Sequence, residues 1–387
     1  MKNHFKLFSL AVLLVFCLCG CGQMGEYVYQ YTGIGWFLDD ERVIDADSVC
    51  SPVPGYSYDQ LAKDEQKLYT ELLQAVNSCR SFVPVKADLT PARLKQIYYY
   101  FQADMPQFFW MDGYSYTTDG DGLVKNMYLK FDSDLQQAKE KWQVLQAKVT
   151  QCAQVLSGLE SDYQKSLWIN DYLCQNTVYD SDAQMRYTAY GCLVDGSAVC
   201  AGYAKAAQLL FYSQDMASIY VRGDSKGERH GWNIVQLDED WYHLDVTWND
   251  AVFKNAKEDR PHLYTYLHVS DEMIQKDHAV YQDENCDLPD CTKMDQNYFS
   301  VNGLVFADKG TLAADIAKEA VKSFKQKDYI VDFMLGGKLT GDDLFDGGMS
   351  SVYRLIKQKM GYAPVSYTYS YSYNEEIGTV RLYFTPK

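Results

Sequence analysis

The chain has 387 residues, of which 47% are hydrophobic and 15% aromatic, including 33 tyrosines. That is enough apolar material for two or three domains, and it excludes wholesale disorder. A formal net charge of −16 and the absence of any Lys/Arg-rich run exclude a phosphate-binding surface, so no nucleic-acid partner is expected.

Lys2 and Lys6 precede an apolar run from Leu7 to Cys19 that is too short to span a bilayer comfortably, the pattern of a signal peptide over residues 1–20. The run ends in Leu18-Cys19-Gly20-Cys21, which resembles the bacterial lipobox. The resemblance implies cleavage before Cys21, diacylglycerol on its thiol, and a chain anchored by lipid to the extracytoplasmic face of the cell membrane. An ordinary secretory cleavage nearby is the alternative.

Of the other cysteines, Cys50, Cys79, Cys152, Cys174, Cys192, Cys286 and Cys291 have no regular spacing and make no disulfide framework. Cys286 and Cys291 are close enough in sequence for a local bridge, and the others read as small core side chains. No C-x-x-C pair occurs and the six histidines do not cluster at ligand spacing, so neither a metal site nor a cofactor is expected.

Residues 21–55 show no sustained period and read as a tether. In 56–132, a small α+β region, Leu61, Leu68, Tyr69, Leu72, Leu73 and Val76 recur at helical steps. A second helix starts at Thr90-Pro91. Two strands, 114–117 and 123–131, flank the Asp-Gly-Asp-Gly turn at 119–122. A central domain over 133–285 opens with helices at 134–158 and 162–175, whose apolar stripes read as core, and a loop at 181–190. After residue 250 the chain reads as loop through Pro261. Residues 292–387 form an α+β accessory domain, with helices at 312–325 and 349–360 and strands at 329–335, 365–373 and 379–384. The Ser/Tyr alternation at 366–373 is strand chemistry, with a tyrosine face that offers a binding surface as its alternative use.

The central stretch contains the chemistry. Cys200 opens an Ala-rich helix in which Gly202 implies close approach of another backbone. Strands follow at 217–222, 231–237 and 241–247, the last two joined by Asp238-Glu239-Asp240. A thiol attacks carbonyls as thiolate, which a helix start favours through its oriented N–H groups. An imidazole must then move the proton, and a carboxylate must hold the imidazole. His230 and Asp245 are the candidates. Alternation along 241–247 puts Trp241, His243, Asp245 and Thr247 on one face. His243 reads as an ordinary polar strand residue. A tight turn at 238–240 sets Asp245 opposite Asn233 or Ile234, so contact with His230 needs a bulge, twist or register offset.

The blocks G-S-A-V-C-A-G-Y-A-K-A-A-Q-L-L and H-G-W-N-I-V-Q-L-D-E-D-W-Y-H-L-D-V-T-W-N-D resemble the transglutaminase-like superfamily over roughly 165–270, and Tyr-Leu-His-Val-Ser-Asp at 266–271 resembles the end of that domain. The resemblance implies an α+β fold. Its papain/transglutaminase-like core would have the cysteine helix packed on an antiparallel sheet, with smaller α+β regions flanking it. It implies Cys200 as nucleophile, His230 as base and Asp245 as orienter. Trp232 and Trp248 would wall the site; the Cys200 N–H would be one oxyanion donor, and Tyr190 is the candidate second. The flanking regions resemble those of Gram-positive surface lipoproteins. The implied activity is thiol acyl transfer through a thioester at Cys200, acting on a protein or cell-wall peptide as protease, amidase or cross-linker. The alternative is a non-catalytic cell-surface binding or scaffold lipoprotein.

Overall fold

The computed structural model describes residues 55–132, 134–250, 263–345, 347–360 and 367–386. The signal peptide, Cys21, nearly all of the tether, Cys50 and most of the loop expected after residue 250 lie outside them. The fold is α+β, and its contacts divide into two compact units.

Among the described residues, the first unit takes in 55–222, His230–Asn233 and Val280–Leu288. Helix α1 (Lys63–Asn77) buries Leu68, Tyr69, Leu72 and Val76, the stripe its sequence spacing predicts. β1 (Phe82–Pro84) leads to α2 (Pro91–Asp104), where the Thr90 side chain accepts the N–H of Arg93 and proline fills the first turn. β2 (Met111–Thr118) and β3 (Val124–Phe131) form the expected hairpin, in a three-stranded sheet of order β1-β3-β2. In its turn the Asp119 carboxylate accepts the N–H groups of Asp121 and Leu123. α3 (Leu135–Leu156) and α4 (Asp162–Asn176) start on the side-chain caps Asp134 and Ser161. The strands β4 (Val178–Tyr179) and β5 (Ser197–Ala198), a short parallel pair, were not expected from the sequence, nor was the wide helical turn at Gly191–Asp195.

α5 (Cys200–Tyr212) follows β5 directly. It buries nearly every side chain from Tyr203 to Phe211, which identifies it as an internal helix rather than an amphipathic one. β6 (Ser218–Ser225) and β7 (Glu228–Leu237) begin the sheet that supports it. Within this unit the buried Gln208 amide of α5 donates to the Ser218 carbonyl at 3.1 Å, and Asn233 Nδ2 of β7 donates to the Ala204 carbonyl at 3.1 Å.

The second unit holds the described residues of Gly223–Arg229, Ile234–Ala279 and Pro289–Lys387. β8 (Asp240–Leu244) is shorter than the 241–247 strand expected. It stops because Asp245 turns out of the ladder and caps α6 (Val246–Asn249), its Oδ1 accepting the Trp248 N–H at 3.1 Å. The period-two alternation therefore ends before Asp245. β9 (Leu267–Val269), α7 (Asp271–Ile274) and β10 (His278–Val280) follow, and the sheet order is β10-β6-β7-β8-β9. A register shift in the antiparallel β8–β9 pair leaves His268 as an extra residue, with φ of 60°.

α8 (Tyr298–Val301) and β11 (Val305–Phe306) lead into the C-terminal elements, all but α10 expected from sequence: α9 (Leu312–Gln326), β12 (Ile330–Leu335), α10 (Gly341–Phe345), α11 (Gly348–Lys359), β13 (Tyr367–Asn374) and β14 (Thr379–Pro386). Their sheet runs β11-β12-β14-β13, with Ile316, Ala320, Phe333, Val352 and Leu382 in the core. Asp332 and Arg381, opposite each other across β12 and β14, form a two-pronged ion pair with both N···O distances 2.6 Å. β13 is the edge strand, and Tyr369 and Tyr371 on it are exposed.

Candidate active site

Cys200 occupies the first helical position of α5, after an extended Val199 that offers no side-chain cap. The N–H groups of Gly202 and Tyr203 both turn back to the Val199 carbonyl. Its thiol is half-buried, and among the described residues it has no hydrogen-bond partner. Close packing behind the helix start explains Gly202. A Cβ there would lie 2.5 Å from the Arg186 carbonyl oxygen and 2.7 Å from the Ala198 Cβ, so the 183–190 loop passes directly over the first turn of α5. Gly191 plays the same part for that loop, since its Cβ would meet the Met185 oxygen at 2.3 Å.

His230 lies in the same unit, half-buried on β7, with its ring stacked 6.1 Å from that of the fully buried Trp232. The Asn233–Ala204 bond fastens the strand of His230 to the helix of Cys200, one helical turn beyond the thiol. Tyr190 is half-buried beside Phe109 at 5.6 Å, with the Lys141 ammonium 5.9 Å from its ring. Burial, and then the Asp195 charge, push its phenol above the ordinary range, so it remains a protonated donor.

Asp245 and Trp248 belong to the second unit. Asp245 is buried, and its Oδ2 faces His278 Nε2 at 3.1 Å. The other ring nitrogen, Nδ1, lies 2.6 Å from Asp277 Oδ1. With a carboxylate at each nitrogen, the ring satisfies both only as the doubly protonated cation. Burial alone would lower its pKa, but Asp245 and Asp277 together raise it. Asp277 also accepts the Tyr266 hydroxyl at 2.5 Å, and the Lys226 ammonium stands 3.8 Å from it and 4.1 Å from the Trp248 ring centre. Asp277 is held below the usual carboxylate range: burial opposes this, but the His278 and Tyr266 hydrogen bonds outweigh it.

Sequence reasoning missed His278 and Asp277 altogether. No spacing signal links them to Asp245, 33 residues away from His278 in the chain. The cap at Asp245 was legible in principle, since aspartate followed three residues later by a free helix N–H is an ordinary start signal. His243, expected to be an ordinary polar strand residue, is buried with Nε2 2.9 Å from Asp271 Oδ1. Cys286 and Cys291 are both free thiols, so the local bridge does not form.

Residues 149–246 match the model of the transglutaminase-like superfamily core, so a transglutaminase-like domain occupies roughly a quarter of the chain. Cys200, His230 and Asp245 all fall within the matched span. No curated protein matches the chain. Among solved structures it is similar to a Cytophaga hutchinsonii protein assigned as a cysteine protease, at 14% identity and a TM-score of 0.25, over 35% of this chain and 61% of that one. It is also similar to a TGase at 15% identity and 0.26, over 46% and 52%, and to menin at 14% identity and 0.24, over 78% and 58%. The chain thus spans only about half to three-fifths of those proteins, and likenesses this remote say nothing of its chemistry.

Proposed function

We propose that this chain is an extracytoplasmic lipoprotein whose transglutaminase-like domain, over about 133–285, performs thiol acyl chemistry. The observation that carries the reading is Cys200, half-exposed at the first position of α5 inside the matched 149–246 span. The Cys200 sulfur attacks an amide carbonyl while His230 takes the thiol proton; the proton then passes to the departing amine, and a thioester remains. Asp245 is the carboxylate that the resemblance assigns to orient the imidazole, and the Cys200 N–H donates a hydrogen bond to the developing oxyanion. Water as the second acceptor releases an acid and makes a peptidase or amidase; an amine makes a cross-link. Hydrolysis of a protein or cell-wall peptide is the preferred outcome.

Alkylation by iodoacetamide from about pH 5 to 9, read at Cys200 by peptide mapping, tests the thiol. The expected result is fast modification at the acid end that His230→Ala slows by at least about tenfold. An alkylation profile indifferent to His230→Ala sinks the catalytic reading and leaves a binding or scaffold role. Amine-probe incorporation, run beside peptide hydrolysis, identifies the acceptor. Cys21→Ala is expected to move the protein from membrane to medium, and continued membrane retention counts against the anchor.

A further inference from the structure

The second unit holds another cysteine, histidine and aspartate, brought together from three separate stretches. His243 lies on β8, Asp271 opens α7, and Cys291 sits in the run between β10 and α8, which forms neither helix nor strand. One ligand atom from each, an imidazole nitrogen, a carboxylate oxygen and a thiol sulfur, all lie within 4.8 Å of one another. Asp271 is also tied to Cys291 by paired bonds: the Cys291 N–H donates to Asp271 Oδ2 at 2.7 Å, and the Asp271 N–H to the Cys291 carbonyl at 2.8 Å. His243 is 2% exposed and Cys291 fully buried, while the Asp271 side chain, 36% exposed, meets solvent. A thiol with no exposure cannot reach an external carbonyl, so this set is no second nucleophilic site.

We infer that His243, Asp271 and Cys291 form a Zn²⁺ site, with the fourth position left to water. The donor set decides the metal: nitrogen, oxygen and sulfur together suit Zn²⁺, whereas Ca²⁺ and Mg²⁺ take oxygen. Ligands held at roughly 2.0–2.3 Å in a tetrahedron stand about 3.3–3.7 Å apart. The 2.9 Å between His243 and Asp271 is the spacing of a shared proton, and the two side chains need part by only a few tenths of an ångström when a metal replaces it. Binding releases the Cys291 thiol proton to solvent, and the neutral His243 ring carries its one proton on Nδ1 so that Nε2 is free to bind the ion. The ion would add a staple between the irregular 289–297 run and β8 and α7, beside the Lys293–Asp240 ion pair.

The full chain, stripped with chelator and kept reduced, is titrated with ZnCl2 and in parallel with CoCl2. One metal per chain is expected, with a thiolate-to-cobalt charge-transfer band, tetrahedral d–d absorption, and a thermal midpoint raised by Zn²⁺. Cys291→Ser should abolish the charge-transfer band and weaken binding by more than about a hundredfold, the upper end of what loss of a mere supporting group costs. Asp271→Asn, at the solvent-facing ligand, should keep the fold and still lose at least about tenfold. Cys200→Ser should change none of this. A wild-type chain that takes up no stoichiometric metal, or a cobalt complex lacking the sulfur band, overturns the site. So does a band lost in Cys200→Ser but kept in Cys291→Ser.

Discussion

Cys200, which the transglutaminase-like resemblance groups with a histidine and an aspartate, and Cys291, which lies with His243 and Asp271, have opposite surroundings. Cys200 stands half-buried at the start of an internal helix, with no hydrogen bond to its sulfur among the described residues. Cys291 is sealed in an irregular segment, its backbone bonded to the carboxylate of the same cluster. The same three residue types therefore support different chemistry. On the roles proposed for them, the first thiol would meet a substrate and the second an ion small enough to enter a closed cluster. Residue identity alone does not make the distinction; exposure and the local backbone do.

The largest effect that tests this contrast is differential labelling of the native chain. A sealed thiol reacts only when its surroundings open, at a free-energy cost of several kcal/mol. Metal-free Cys291 should therefore be alkylated about a thousandfold more slowly than Cys200, as read by quantitative peptide mapping. Comparable rates at the two thiols would erase the distinction.

Next in size is the support of Asp245. The His278 cation sits between two buried carboxylates, and removing it leaves both uncompensated. His278→Ala should cost about 3–5 kcal/mol in denaturant unfolding. His278→Ala with unchanged stability would mean that the Asp245–His278–Asp277 array is not charged as the geometry demands.

What the sequence revealed follows from how far each signal reaches. The Cys200 helix, the 119–122 turn, the Thr90-Pro91 start and the C-terminal elements are written in neighbouring residues, through caps, spacing and alternation, and they fold as read. The wide turn at 191–195 and the parallel β4–β5 pair depend on Gly191 and Gly196 packing against backbone elsewhere in the chain, so their cause lies outside the local pattern. The same holds for His278 beside Asp245 and for Cys291 beside His243: each joins residues tens of positions apart with no periodic signal. The helix start at Cys200 and the strand of His230 are legible from sequence because each lies in a recognisable local block. The groups that hold Asp245 are not.

Gly202 tests how closely the Cys200 position is set. In an exposed helix Gly→Ala gains about 1 kcal/mol from propensity. Here the new methyl meets a carbonyl oxygen and Ala198, neither of which can swing aside, and such overpacking costs up to about 3 kcal/mol. Gly202→Ala should therefore destabilise by about 2 kcal/mol and also change the alkylation rate of Cys200. Stabilisation by the substitution would show that the loop over α5 is not packed as tightly as the distances require.

The smallest expected effect separates the two units by pH. His268 is fully buried in the β8–β9 bulge, its Nδ1 2.8 Å from the Gln296 carbonyl, and burial pushes its pKa down to about 4, with the Gln296 bond opposing. In the unfolded chain an ordinary histidine titrates near 6.5. Between those values the unfolded state binds the extra proton, so stability is complete above about pH 6.5 and falls as pH drops toward 4. His243 is lowered by burial as well and acts in the same direction, whereas His278 is raised, so its contribution is present in acid and is lost as pH rises through its folded value. At pH 5.5 the His268 contribution to the loss is about 1 kcal/mol relative to pH 7. Asparagine tolerates the positive φ of this position and can still donate to Gln296. Urea unfolding of His268→Asn at pH 7 and pH 5.5, followed by a probe of the second unit, should show an acid loss smaller than wild type by that amount. Equal losses in the two proteins would place the acid sensitivity elsewhere.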